Sequence, residues 1–526
     1  MNYIDYGIVI CYFIAMIWMG LRFKKSQKNT EYFLGGKGFG WFSLCMSTMA
    51  TQLSVISFVS APAFVGLRTG GGMQWLTFEF GVPLAMIILI AFIAPALYKS
   101  SVVSAYAFLE KRFNTSSRLL LSSVFLISRS FATSVTVYAV SLILTSILKI
   151  SFTQTILIIS IVTIIYSLEG GMKAIVYSEV AQMIIKVLGI YIIIYFGLKY
   201  IGGWDNFVKH VDTSRLNVIR FRDAGFDGKE YGFWPMLLGG IFLYCSYYGT
   251  DQSQVQRILS SKDEITVKKL LLFNGLFRFP ITLSYCIGGL ILGTLVRLDP
   301  NFAAQIPAEK PDLMIPVFIT NYLPHGIIGI IIVAIIAAAM SAYSSNINSL
   351  AAISIEDFIS RKWKVPENKY VMYSKLLALA WGVVTLILAF FMGNIAKTVI
   401  EAINKIGSVF YGPVVCMFLL AIFTTKIQAK SANTGVVVGV LVNLVMWIFF
   451  KNIFWFWWNV IGALVTFFVA MFCHYFIFKQ SQEQNNFVII NQPFKKALFT
   501  KETAILFTFF LIIFSLCYYL TSLSFS

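Results

Sequence analysis

The sequence predicts an all-α polytopic membrane protein with about 14 transmembrane helices, and three observations support this fold class. Many separate stretches are apolar over the roughly 20 residues that a helix needs to cross a lipid bilayer. Hydrophobic residues make up 58% of the chain and charged residues 12%, whereas globular proteins contain about 25% charged residues. The remaining segments are too short to form a soluble domain, so we expect the function to lie within the bilayer.

The apolar stretches define the predicted spans in chain order, with the lipid bilayer as the expected surroundings of each. Their approximate limits are 4–22, 41–65, 76–98, 118–147, 152–168, 174–201, 233–249, 270–296, 326–351, 370–391, 399–424, 434–450, 454–478 and 504–523.

The basic residues predict the orientation of these spans. The net charge is +18, and most basic side chains fall in the inward loops when the N-terminus is placed outside. Examples are Arg22 to Lys28 after the first span and Arg257 to Lys269 after the seventh. This bias predicts a multi-pass protein of the cell membrane with both termini on the outer side. The basic residues form no continuous face, which argues against nucleic-acid binding.

The second and seventh spans are unusually rich in small and polar residues. The relevant stretches are Ser47–Ser57 and Gly239–Gly249. They lie five spans apart, so two halves of opposite orientation would place them in matching positions. Interrupted helices at such positions are typical of the central binding site of a transporter, because unwound backbone in a membrane must face an ion, a solute or water.

A polar stripe and a carboxylate suggest where a cation binds. Ser341, Ser344, Ser345 and Asn348 share one face of the ninth span. They would serve either close helix packing or ligation of a small cation. Glu179 in the sixth span favours the functional reading, since a carboxylate inside a membrane is costly. The alternative is that Glu179 is hydrated near the cytoplasmic end, or pairs with Lys173 or Lys186.

Two further charges fall within predicted spans. Glu79 and Arg129 would either pair with each other or face a polar solute, where arginine suits a carboxylate and glutamate suits hydroxyl or amine groups. The polar run Asp251–Arg257 is interpreted as a cytoplasmic helix cap that belongs to gate structure. No phosphate-binding loop of the nucleotide-hydrolysing type occurs. We therefore expect no enzyme activity, and we expect uphill transport to be coupled to an ion gradient.

Several motifs, in order along nearly the whole chain, resemble the sodium:solute symporter family, which includes sodium–glucose, proline, iodide, multivitamin and sialic acid transporters. The resemblance implies a LeuT-like core of five-plus-five inverted repeats in residues 40–426. An extra helix and cytoplasmic loop would occupy 1–39, and extra helices 427–526. The motifs are Thr30–Lys37, Gly170–Glu179, Asp251–Arg257, Ile347–Phe358, Gly412-Pro413 and Phe418–Phe423.

The resemblance implies two sodium sites. The main site would use the carbonyl groups of Ala50, Leu53 and Ala338 with the Ser341 hydroxyl, although Ala342 stands where the family usually has a second hydroxyl. A second site resembles the set Glu179, Ser341, Ser344 and Ser345, with glutamate where the family has aspartate. We expect Na+ to remain the coupling ion. These two departures predict that its site or its stoichiometry is altered.

The resemblance also implies residues that contact the solute. Tyr247 matches a gate tyrosine, Glu79 a glutamate that binds sugar hydroxyls, and Arg129 an arginine that holds the carboxylate of sialic acid. The remaining expected contacts are Ser54, Ser57, Arg278 and Asn404.

The first hypothesis is a sodium-coupled symporter for a small polar organic solute, with a sugar or a sugar acid such as sialic acid preferred. Monocarboxylates, vitamins and amino acids are alternative solutes. A membrane sensor on a transporter scaffold is the alternative of another class, and a passive channel is disfavoured because no filter motif occurs. The expected partners are the solute, Na+ and the bilayer, with no nucleic acid and no obligate protein partner.

Overall fold

Helices account for the regular structure in the computed structural model, which describes residues 1–24, 29–392, 399–478 and 494–523. Within these residues the extended structure amounts to one isolated bridge between Phe39 and Ser261. The predicted all-α class is therefore confirmed.

The main helical segments are numbered here in chain order. They are α1 Tyr3–Arg22, α2 Trp41–Gln52, α3 Ile56–Gly66, α4 Met73–Lys99, α5 Thr115–Leu148, α6 Phe152–Ile201, α7 Phe233–Gly249, α8 Gln252–Leu259, α9 Glu264–Leu298, α10 Ile327–Lys362, α11 Glu367–Phe390, α12 Val399–Phe423, α13 Ala429–Phe449, α14 Phe456–Ile477 and α15 Lys501–Leu523. Shorter helices connect them at Asn29–Leu34, Ala105–Arg112, Trp204–His210, Pro300–Ala303, Met314–Tyr322 and Phe494–Leu498.

Eleven helices of the described residues are long and apolar enough to cross a membrane, and the bent pair α2 and α3 makes a twelfth candidate. The protein is thus a multi-pass membrane protein. The segment α6 contains 50 residues, and Gly171 interrupts it with a left-handed φ of 53°. The predicted spans 152–168 and 174–201 lie on either side of that glycine. The segment α7 is shorter, with 17 residues.

The second span is broken as predicted. Helix α2 ends at Gln52, Leu53 has a non-helical ψ of 76°, and α3 leaves at an angle of 67°. The carbonyl groups at the end of α2 consequently lose their helical partners. The prediction for the seventh span is wrong in its position, because α7 is continuous through Gly239–Gly249. The interruption follows at Thr250 and Asp251, where the side chain of Asp251 caps α8.

Helix α10 lies at the centre of the bundle. In its most apolar stretch 89% of the residues are buried, compared with 28% in α1 and 22% in α11 and α15. The exposed apolar faces of these three helices are expected to contact lipid, since a helix at the periphery of a membrane protein gains nothing from polar residues there. The polar stripe of α10 therefore faces protein.

Helices α3 and α9 cross at very short distance. A Cβ atom added to Gly289 would lie 2.4 Å from the carbonyl oxygen of Pro62, whereas one added to Gly288 would meet nothing closer than Ile194 at 3.5 Å. We expect Gly289→Ala to destabilise the protein by about 1–3 kcal/mol through overpacking, and the matched control Gly288→Ala to have little effect. Thermal unfolding in detergent measures both, and equal melting temperatures would contradict the prediction.

Candidate functional site

The predicted ligands of the main sodium site do meet at the break of the second span. The Ser341 hydroxyl of α10 lies 2.9 Å from the carbonyl oxygen of Ala50 and 3.3 Å from that of Ala338. The Leu53 carbonyl belongs to the same group, because it shares a hydrogen-bond donor with Ala50 and Ser341. The helix break is the reason, since it turns the carbonyl groups at the end of α2 towards α10.

The shared donor is the ammonium group of Lys186. Its Nζ atom lies 2.6 Å from the Ala50 oxygen, 3.0 Å from the Leu53 oxygen and 2.8 Å from the Ser341 hydroxyl oxygen. The side chain is fully buried. In this conformation a lysine of the chain contacts three of the four predicted sodium ligands, which the sequence interpretation did not foresee.

Glu179 of the second predicted sodium set is likewise paired with a basic residue. It is fully buried, and Arg257 of α8 donates to its two carboxylate oxygens at 2.9 and 2.7 Å. Thr51 donates to the same carboxylate at 3.0 Å, and Ser47 also donates to it. The buried ion pair therefore connects α6 to α8, and the two hydroxyl donors connect α2 to the same carboxylate.

Two interpretations are corrected by this ion pair. Glu179 is neither hydrated nor paired with Lys173 or Lys186. Lys173 lies 3.9 Å from Glu31 instead, outside the core. Arg257 was assigned to a cytoplasmic cap, but its guanidinium group reaches the bundle interior and is 0% exposed.

The serines Ser344 and Ser345 of α10 have hydrogen-bond partners other than Glu179. The Ser344 hydroxyl donates to the carbonyl oxygen of Ser341 at 3.2 Å, which is a contact within the helix. The Ser345 hydroxyl oxygen lies 3.5 Å from that of Thr51. In this conformation Glu179 is thus held by Arg257, and the role of the serines as sodium ligands remains a prediction.

A cavity of about 140 Å³ lies beside this region and gathers most of the predicted solute contacts. Six of the seven predicted residues line it, which are Ser54, Ser57, Arg129, Tyr247, Arg278 and Asn404. Gln52, Tyr244 and Asn346 line it too, and each has a buried polar atom without a hydrogen-bond partner in the described part of the chain. The cavity therefore offers both charged and neutral polar groups to a solute.

Arg129 faces the cavity with a counterion of its own. It forms an ion pair with Asp251, the residue that caps α8. Its guanidinium carbon also lies 5.3 Å from the centre of the Tyr247 ring, a distance typical of cation–π contact. A carboxylate ligand at Arg129 would thus compete with Asp251.

Glu79 and Arg129 do not pair, and that alternative is wrong. Glu79 is 0% exposed and pairs with Arg278, whose Nε atom lies 3.2 and 3.3 Å from its two oxygens. Thr282 donates to the same carboxylate at 3.0 Å. Glu79 is not among the residues that line the cavity. In this conformation its carboxylate accepts hydrogen bonds from Arg278 and Thr282.

Sequence reasoning missed the partners of the intramembrane charges. Lys186 lies in the middle of the predicted sixth span, and a lysine there is as costly as the carboxylates that were singled out. That position was the available signal. Arg257 and Asp251 gave no such signal, because they belong to a polar run after the seventh span that the sequence analysis assigns to a cytoplasmic helix cap.

The chain is similar to known transporters of one family. The sequence model described as "Sodium:solute symporter family" matches residues 32–439. Sodium-coupled monocarboxylate transporter 2 of Bos taurus is 27% identical over 451 residues, covering 84% of this chain and 71% of that protein. The sodium/sialic acid symporter of Proteus mirabilis is 28% identical over 480 residues, covering 88% and 93%.

A solved structure is similar over most of the chain. The substrate-bound outward-open state of a Na+-coupled sialic acid symporter superimposes with a TM-score of 0.81 at 25% identity. The alignment covers 92% of this chain and 99% of the other.

Proposed function

Because this chain belongs to the sodium:solute symporter family, we propose that it takes up a small organic anion by symport, with a sugar acid or another small carboxylate as the solute. The family and its sodium-coupled relatives make the protein a transporter rather than an enzyme, and they make Na+ the coupling ion. The choice of an anion rests on the charges that face the cavity.

Two arginines and no carboxylate line the cavity among the residues that the structure describes. These are Arg129 and Arg278, while their counterions Asp251 and Glu79 lie outside the lining. Guanidinium groups bind carboxylates in a planar, two-point geometry. A cavity lined in this way attracts an anion and gives a neutral sugar no comparable advantage. This single observation carries the proposal.

The neutral lining supports a hydroxylated or amide-bearing carboxylate. Gln52, Tyr244 and Asn346 have unpaired polar atoms, and leaving such groups buried and unbonded costs free energy. A sugar acid supplies hydroxyl groups for these atoms, and the relative from Proteus mirabilis is named for sialic acid, which is also a carboxylate.

The volume of about 140 Å³ favours a second candidate, a monocarboxylate. Pockets for larger ligands usually measure roughly 300–1,000 Å³, so a solute of a few carbon atoms fits this conformation without expansion. The relative from Bos taurus is named for monocarboxylates.

We further propose about 14 membrane crossings, with an inverted-repeat core in 40–426 and both termini outside. Residues 152–168 and 174–201 would be separate crossings on either side of Gly171. Helix α7, with 17 residues, lies within the range of roughly 17–25 residues that suffices for a crossing. The inward bias of basic residues supports the orientation.

A thermal-shift screen with the purified protein tests the proposed solute class. Sialic acid and lactate should raise the melting temperature in the presence of Na+, whereas glucose, a neutral sugar, should not. Uptake of the stabilising acid into proteoliposomes should saturate with its concentration and rise with an inward Na+ gradient. Stabilisation by glucose alone, or binding without uptake as expected of a sensor, would contradict the proposal.

A further inference from the structure

We propose that the Lys186 ammonium group occupies the Ala50–Leu53–Ser341 site in place of a sodium ion, so that the folded protein binds no Na+ at this site. The inference rests on the proposed function, because it concerns how that symport is coupled. The inference goes beyond the proposed function because it names the residue that supplies the positive charge at this site.

The first support is the match between donors and acceptors. A protonated lysine has three N–H donors, and Nζ has three oxygen partners at 2.6, 3.0 and 2.8 Å. These are hydrogen-bond distances for a charged donor. A neutral amine has only two donors, so it would leave one of the three oxygen atoms unsatisfied.

The second support is the set of elements that Lys186 joins. The ammonium group extends from α6 to the end of α2 through Ala50 and Leu53, and to α10 through Ser341. A bound sodium ion at the predicted site would bridge the broken span and α10 in the same way. The lysine can therefore perform the structural task of the ion.

The third support is that the site cannot accommodate both cations. Two unit positive charges that share the same oxygen ligands repel each other strongly in a medium of low dielectric constant. The site is also poorer in oxygen than a hard cation requires, since Ala342 supplies no hydroxyl beside Ser341. The four predicted oxygen ligands leave a sodium ion under-coordinated, whereas three acceptors satisfy an ammonium group.

The surrounding titratable groups leave Lys186 without a contacting carboxylate in the described part of the chain. Glu179 on its own helix acts on it only through space, because Arg257 of α8 holds that carboxylate. The helices packed against α6 bring Tyr12, Cys45, Tyr343 and Arg278. These side chains have other partners, which are respectively Gln182, Asn274, the Gly382 carbonyl group and Glu79.

The test compares the stabilisation by Na+ of the wild type and of Lys186→Ala in detergent. Melting temperatures are measured in NaCl and in choline chloride at equal ionic strength. Removing the lysine frees the carbonyl groups of Ala50 and Leu53, so we expect the sodium-induced rise of Lys186→Ala to exceed that of the wild type by a few degrees. Adding Ser341→Ala should abolish the excess, and the exposed lysine variant Lys199→Ala on the same helix should behave like the wild type.

An equal or smaller sodium-induced rise in Lys186→Ala overturns the proposal. If that variant does not fold, Lys186→Met retains the apolar stem and takes its place.

These cation measurements contain no solute. A failure of sialic acid and lactate to bind would overturn the proposed function and leave the cation result standing, so the two proposals fail separately.

Discussion

Replacing Arg257 with alanine is expected to destabilise the folded protein by about 3–5 kcal/mol, the cost of leaving one member of a buried ion pair without its partner. Glu179 is fully buried, and among the described residues the hydroxyl groups of Ser47 and Thr51 are the donors that it keeps after the substitution. Two hydroxyl groups do not compensate a buried negative charge. Chemical unfolding of the purified protein in detergent measures the change.

A double-mutant cycle separates the ion pair from other effects of Arg257. Combining Arg257→Met with Glu179→Gln removes both charges, so most of the lost stability should return. Lys375→Ala is the matched control at a partly exposed pair, where Lys375 lies 3.0 Å from Glu169 and each side chain is 26% exposed. This control should cost less than about 1 kcal/mol. A double variant as unstable as the sum of its two single changes would contradict the assignment.

Replacing Arg129 with alanine is expected to weaken the binding of a carboxylate solute by about 30-fold or more. Loss of one partner of a buried charge pair costs at least about 2 kcal/mol, and each 1.4 kcal/mol corresponds to about tenfold in affinity. Sialic acid and its methyl ester are the two probes, because they have similar size and only the acid is charged. Calorimetric titration should show a large loss for the acid and a small one for the ester.

Asp251, the ion-pair partner of Arg129, provides a control variant in which the affinity for the carboxylate should rise. Asp251→Asn keeps the side-chain shape and removes the charge that competes for Arg129. We therefore expect sialic acid to bind more tightly to this variant than to the wild type. Weaker binding of the acid in both variants would show that the ion pair itself shapes the site and that Arg129 does not contact the carboxylate.

Local sequence patterns were sufficient to predict most of the helices and the break in the second span. Long apolar stretches predicted the helices, because crossing a bilayer requires about 20 apolar residues whatever the neighbouring helices are. The small and polar residues Ser47–Ser57 predicted the break in the second span, which the structure places at Leu53. The same reasoning misplaced the break after α7, because Gly239–Gly249 is as small and polar as a broken helix but pairs its backbone in a regular one.

Local sequence patterns could not identify the partners of the buried charges. Lys186 and Ala50 are 136 residues apart in the chain, and Arg257 and Glu179 are 78 apart. Membrane insertion makes each of these charges costly on its own, so the sequence indicates that each needs a partner. Several basic residues were available to Glu179, and only packing decided among them.

The amino-acid sequence by itself determined that this chain is a helical membrane protein with a polar, broken centre, since hydropathy acts along each helix independently. The tertiary structure decided that lysine and arginine side chains hold the oxygen atoms predicted to bind sodium. The physical reason is that the low dielectric constant of the interior requires each buried charge to be paired or hydrogen-bonded, while the choice of partner depends on which helices come within a few ångströms of each other.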